Sequence, residues 1–313
     1  MITADKDQLL AAAWSKLPVS YSPPAIAPSL DEARAWCKRL ALEHYENFHV
    51  ASRFLPEKYR SHFYAIYAYC RVSDDLGDEV GDAEQSLALL DYWQQELDEC
   101  YRGKPLHPVF VALEETVRAC DIPKQPFDDL LVAFRQDQRI FRYQSLDHLL
   151  EYCRYSANPV GHLVLYVWGY RDGERQQLAD SICTALQLAN FWQDVREDYL
   201  RGRIYIPQDA MSALGVGEEV FAGEMATREF RELLRGLVDD ARRRFNEGKP
   251  LLQMVSKDLA IDLGLFIRGG LEILRAIELQ DFDVLRGRPA ISKRRKAALL
   301  ARAVMARAFG KTP

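Results

Sequence analysis

The chain has little of what marks several large protein classes. It carries no basic excess: 41 Lys and Arg stand against 46 Asp and Glu, a net charge of −5, which argues against nucleic acid as a partner because a phosphate-backbone binder shows a basic face. No apolar run approaches the roughly 18 residues of a membrane span. The longest candidate, residues 163–170, is far too short. The first residues lack a basic segment followed by an apolar one, so no secretory signal is expected. The six cysteines never fall in a C-x-x-C spacing and sit in helical apolar patterns, which predicts reduced core thiols in a cytoplasmic protein. Strand-like alternation is nearly absent, and no Gly-rich loop follows a strand, so nothing suggests a dinucleotide fold. No Gly/Ser-rich linker divides the chain.

What remains is long helical periodicity. Four prolines at 18, 23, 24 and 28 predict an irregular arm over residues 1–30, and residues 31–313 read as one all-α domain. Helices are expected around 31–49, 56–78, 84–101, 109–120, 127–141, 147–156, 176–200, 227–248, 252–280 and 292–307.

Two acidic motifs stand out inside these helices: Asp74-Asp75-Leu76-Gly77-Asp78 and Asp194-Val195-Arg196-Glu197-Asp198. In each the outer aspartates are four residues apart and project from one helix face. One such pair is ordinarily a solvated surface. Here both sit among apolar neighbours, where acids are costly unless they serve a site. Close carboxylates repel unless a cation lies between them. Their hard oxygens suit Mg2+, which keeps positions for water and substrate phosphate. Tyr67 and Arg71 share the first face, and Gln187 and Asn190 share the second, with Arg203 and Tyr205 just beyond. Arginine grips phosphate bidentately, and tyrosine offers an aromatic face to a cation. The expectation is a helical enzyme that handles a diphosphate in a cavity shared by both motifs.

Four blocks carry a family resemblance: His44–Phe48, Tyr67–Asp78, Tyr152–Gly161, and Leu186–Asp198 continuing to Arg203–Pro207. Together they resemble the squalene/phytoene synthase family, which implies the isoprenoid synthase fold, a central cavity flanked by two aspartate-rich helices. The resemblance implies that Asp74, Asp78, Asp194 and Asp198 hold Mg2+. It implies that Arg71 and Arg203 grip the diphosphate, with Tyr67, Tyr152 and Tyr205 among the catalytic residues. His44, Phe48, Asn158, Gln187 and Asn190 are the implied substrate-binding residues.

Residues 47–56 and 156–161 are most similar to the bacterial branch that forms hydroxysqualene from presqualene diphosphate and water in hopanoid biosynthesis. Condensing members carry small hydroxyl and basic residues after the histidine, where this chain has Tyr45-Glu46-Asn47. Gln193 replaces a common arginine, Asn158 a common glycine, and Gly269-Gly270 stands near an aromatic of carotenoid-making members. These departures predict a weakened head-to-head condensation; the resemblance to this branch implies no need for NADPH, and Tyr152, Tyr155 and Asn158 are the candidates for placing the capturing water. The rival expectations are a condensing synthase acting on farnesyl diphosphate and a non-catalytic assembly factor. The expected partners are a prenyl diphosphate, transient contact with other hopanoid-pathway enzymes, and anionic lipid at the inner membrane face through Lys293-Arg294-Arg295-Lys296.

Overall fold

The computed structural model describes residues 2–43 and 55–309. Among them the backbone is helical apart from turns, two short 3-10 segments and one isolated bridge, Arg142 to Ile204. The chain's contacts gather into two compact units, one of Met1–Arg139 with Leu163–Tyr170, the other of Ile140–His162 with Arg171–Pro313.

In the first unit run α1 (Ile2–Trp14), α2 (Leu30–Glu43), α3 (Glu57–Asp78), α4 (Ala83–Arg102), α5 (Pro108–Cys120) and α6 (Gln125–Gln136). The local signals are legible. Asp82 caps α4 by accepting from the Gln85 amide, and Gly103 ends it in the left-handed region at φ 78°. Pro108 opens α5, where its missing N–H costs nothing. α3 packs against α2, α4, α5 and α6. The core holds Tyr69, Trp93, Phe110 and Phe127, with Trp93 and Phe110 edge to face at 4.5 Å. The Tyr69 hydroxyl is satisfied by the Phe127 carbonyl at 2.8 Å.

The irregular arm expected over residues 1–30 is corrected, because Ile2–Trp14 is helix. All four prolines lie at or beyond residue 18, and the stretch before them ends in the strong helix formers Leu9 to Ala13. Ala13 is fully buried, and Trp14 meets Tyr92 edge to face at 5.7 Å.

The second unit holds α7 (Leu146–Ser156), the start of α8 (Asn158–Val167), α9 (Gly173–Gln193), α10 (Val195–Leu200), α11 (Gln208–Ala213), α12 (Arg228–Gly248), α13 (Leu251–Met254), α14 (Lys257–Leu279) and α15 (Lys293–Phe309). α9 packs on α12 and α14 over Trp192, Phe230 and Phe245, all fully buried. Two expected helices are broken. The 252–280 helix divides where Val255 turns extended and Ser256 caps α14. The 176–200 helix divides at Asp194, whose φ and ψ of −105° and 15° leave the helical region. At Gly269-Gly270 a close approach falls on Gly270 alone: a Cβ there would lie 2.2 Å from the Phe245 ring, whereas Gly269 has nothing within 4 Å.

Candidate active site

The first acidic motif ends α3. Successive helical residues diverge by about 100°, so Asp74 and Asp75 point differently. Asp75 is buried and Asp78 exposed, while Asp74 lies between. Asp75 accepts from the Tyr21 hydroxyl at 2.7 Å and from Arg71 Nε at 3.0 Å, with Arg71 Nη2 on its other oxygen. Arg71 Nη1 faces Asp74 at 3.8 Å. Burial pulls the Arg71 guanidinium down, but the charges of Asp75 and Asp74 more than offset it, and the cation is held firmly. Arg71, expected to fork a phosphate, thus uses two of its N–H groups on a carboxylate of its own helix. The Gly77 carbonyl accepts from Gln138 at 3.1 Å and Ser86 at 3.2 Å, which fixes the helix end. Tyr67 lies partly buried on the same helix. Sequence spacing gave no sign of Tyr21, because its acceptor is 54 residues away.

The second motif straddles the break between α9 and α10. The Asp198 amide donates to the Asp194 carbonyl at 2.8 Å, and the Arg203 amide to the Asp198 carbonyl at 2.8 Å, so Asp194, Asp198 and Arg203 form one tight knot of backbone. Arg288, which spacing did not single out, forks Asp194 through Nε and through Nη2 at 2.9 Å, and reaches Gln193 at 3.4 Å. Gln193 donates to the Pro289 carbonyl at 2.5 Å. Arg196 donates to the carbonyls of Gly223 at 2.8 Å and Leu285 at 3.1 Å. The motif's inward residues therefore stitch the 285–289 segment beside its carboxylates, and Arg288 brings a cation next to Gln193.

Burial, reinforced by the charge of Asp194, pushes the Asp198 carboxyl up to about 7, although Arg203 and Arg201 pull it down. A divalent cation would relieve that penalty, and an all-carboxylate donor set suits Mg2+. Among the described residues no three His, Cys, Asp or Glu side chains gather closely enough to hold a metal by themselves. Each pair would leave coordination positions to water and phosphate.

Beside the knot lies an aromatic stack. Tyr205 is parallel to Phe191 at 3.8 Å and to Tyr143 at 5.6 Å, and Tyr152 lies 6.1 Å from Tyr205. All four rings are buried. The strand-like pairing of residues 141–143 with 202–208 aligns them: Ile204 donates to the Phe141 carbonyl at 2.9 Å and Gln208 to that of Tyr143 at 2.9 Å. Gln187 is partly buried and Asn190 exposed. Asn158 accepts from the Thr184 hydroxyl at 2.9 Å, bracketing α8 to α9. Three residues on, Gly161 leaves room for Cys183, whose sulfur would be 2.8 Å from a Cβ there. His44, Phe48 and the 45–47 departure lie outside the described residues. The six cysteines are free; Cys37, Cys100, Cys120 and Cys153 are buried, whereas Cys70 and Cys183 are partly buried.

Comparisons with known proteins place the chain in a family and a fold. The family model for squalene/phytoene synthase matches residues 41–295. The solved squalene synthase HpnC from Alicyclobacillus acidocaldarius is 41% identical, with a TM-score of 0.78 over 86% of this chain and 98% of that one. A dehydrosqualene synthase solved in complex with ligand is 26% identical, with a TM-score of 0.81 over 90% of this chain and 98% of that one. Phytoene synthase 3 of Zea mays is 31% identical over 86% of this chain, which spans 65% of the plant protein's length. With its all-α isoprenoid synthase fold, the chain belongs to the squalene/phytoene synthase family.

Proposed function

We propose that the chain ionises presqualene diphosphate and lets water capture the rearranged cation, giving hydroxysqualene and diphosphate. The observation that carries this reading is the intact electrostatics of both acidic motifs. Asp74 has Arg71 beside it, and the Asp194–Asp198 pair has Arg288 and Arg203. The 41% identity to squalene synthase HpnC supports the squalene side of the family.

In this reading the C–O bond to diphosphate breaks and its electron pair leaves with the phosphate. A water oxygen then bonds to the rearranged carbocation and loses a proton to solvent. Bound Mg2+, held by Asp74, Asp78, Asp194 and Asp198, would supply Lewis acidity toward the leaving oxygens. Arg203 binds and orients the diphosphate, while Arg71, anchored on Asp75, keeps positive charge on the motif face. Gln187 and Asn190 extend the polar end of the second motif, and Tyr67 adds a phenol to the first. The buried rings of Tyr205, Phe191 and Tyr152 exclude bulk water and offer π-faces to a cation. Capture by water needs no reductant, so NADPH has no part.

The second reading is condensation of farnesyl diphosphate, favoured by the likeness to phytoene and dehydrosqualene synthases. The test offers presqualene diphosphate and farnesyl diphosphate separately with Mg2+, with and without NADPH, and identifies products. Hydroxysqualene from presqualene diphosphate alone is the expected result. Strong consumption of farnesyl diphosphate would sink this reading in favour of a condensing synthase. Asp194→Asn should lower turnover at least about 100-fold, the scale of losing a charge that stabilises the transition state; an unchanged rate would point to an assembly factor.

A further inference from the structure

A second concentration of charge lies on α14 and α15, outside the motifs. A cavity of about 250 Å3 opens between these helices, lined among others by Arg268, Leu271, Glu272, Arg295, Leu299 and Arg302. Its one lining carboxylate is already engaged: Arg295 holds both oxygens of Glu272, Nε at 2.8 Å and Nη2 at 2.7 Å. Three guanidiniums against one carboxylate leave the lining with two surplus positive charges. The surplus rests on Arg268, partly buried on α14, and on Arg302, exposed on α15.

Like charges brought together in a concave, half-apolar site are unfavourable unless an anion joins them. Burial, and then the charge of Arg302, lowers the affinity of Arg268 for its proton. Both groups are guanidiniums, whose planar forks match phosphate oxygens. The floor is apolar at Leu271 and Leu299, while α15 exposes Val304 and Met305 and carries Lys293, Arg294 and Lys296 on its first turn. A basic helix at the surface suits an anionic lipid headgroup.

We propose that the cleft between α14 and α15 is a phosphate site, Arg268 and Arg302 closing on the phosphate and Leu271 and Leu299 receiving the hydrocarbon next to it. The shared chemistry is a phosphate group, carried on the hydrocarbon of a membrane phospholipid, for which the leucines are suited, or free in solution as a soluble phosphate. The site does not depend on the reaction proposed above.

The test uses the full chain without Mg2+. Co-sedimentation with phosphatidylglycerol/phosphatidylcholine vesicles gives the lipid arm, and calorimetry with inorganic pyrophosphate gives the soluble arm. Two double variants with equal charge loss are compared, Arg268→Gln/Arg302→Gln and Lys38→Gln/Lys104→Gln, each shown to be folded by its thermal melt. The expected result is about tenfold weaker binding to the anionic vesicles for the arginine pair only. Pyrophosphate binding lost with the arginine pair, without vesicle binding, would support the site and identify its ligand as a soluble phosphate. Equal weakening by both pairs, or no binding in either arm, would overturn the proposal.

Discussion

A tyrosine hydroxyl placed 54 residues before its acceptor shares one Asp75 oxygen with Arg71. Tyr21 is buried, and burial, then its bond to Asp75, drives its phenol pKa far upward, so it is a permanent donor. Two adjacent aspartates should therefore respond oppositely to amidation. Asp75→Asn weakens a buried acceptor that Arg71 and Tyr21 share, and is expected to cost about 2–3 kcal/mol of stability in urea unfolding. Tyr21→Phe should cost about 1.5–2 kcal/mol by the same measurement. Asp74→Asn, on a half-exposed side chain, should leave the urea midpoint nearly unchanged while removing turnover. If Asp74→Asn unfolds the protein and Asp75→Asn does not, the division of labour within the motif is wrong. The outer aspartates could be read from spacing. The inward role of Asp75 could not, because only packing shows which side of α3 faces Tyr21.

Elements in this fold approach at glycines. Gly270 on α14 faces Phe245 on α12 with no room for a methyl, and Gly269 beside it faces open space. The pair is a built-in control. Gly270→Ala must displace a fully buried ring and is expected to cost about 1–3 kcal/mol. Gly269→Ala should stabilise by up to about 1 kcal/mol, since alanine is the better helix former. Thermal melts of the two variants check both signs. A double glycine in a helix could be read as a close approach, but which glycine makes it depends on α12 lying where it does. The break at Asp194 was hidden for a similar reason. Residues 190–198 contain neither Gly nor Pro. The turn coincides with tertiary anchors at Gln193 and Arg196 rather than with a local breaker.

At the scale of the whole molecule, acid stability reports on His107. Its ring is fully buried against Trp93 and Trp36, at 4.8 Å and 5.5 Å. Nδ1 accepts from the Val109 amide at 3.2 Å, and Nε2–H can donate to the Tyr21 carbonyl at 3.2 Å. A second proton has nowhere to go, and burial pushes this imidazole down to about 3. The unfolded chain binds a proton below its ordinary value of 6.5 that the native state refuses. The contribution is therefore complete above that value and is lost as pH falls toward 3, by about 1.4 kcal/mol per pH unit. Urea midpoints of His107→Asn, which keeps a capping acceptor, should fall less steeply between pH 6.5 and 4.5 than those of the parent; parallel curves would refute the buried neutral ring. Helical class, motif positions and most helix starts were open to reading because caps and periodicity are local. The arm was misread because four prolines cast their influence over a proline-free stretch before them.

The seam that joins the second motif to residues 285–289 sets an order of events. Asp194 finds its guanidinium 94 residues later, and Gln193 its carbonyl 96 residues later. Closing loops of that span is slow compared with winding helices. On a ribosome, α9 emerges and coils well before its counter-charge has been synthesised. The carboxylate face of this half of the chain is thus among the last features to mature, and a chain halted before Arg286 would carry Asp194 and Asp198 together with no Arg288 to reconcile them.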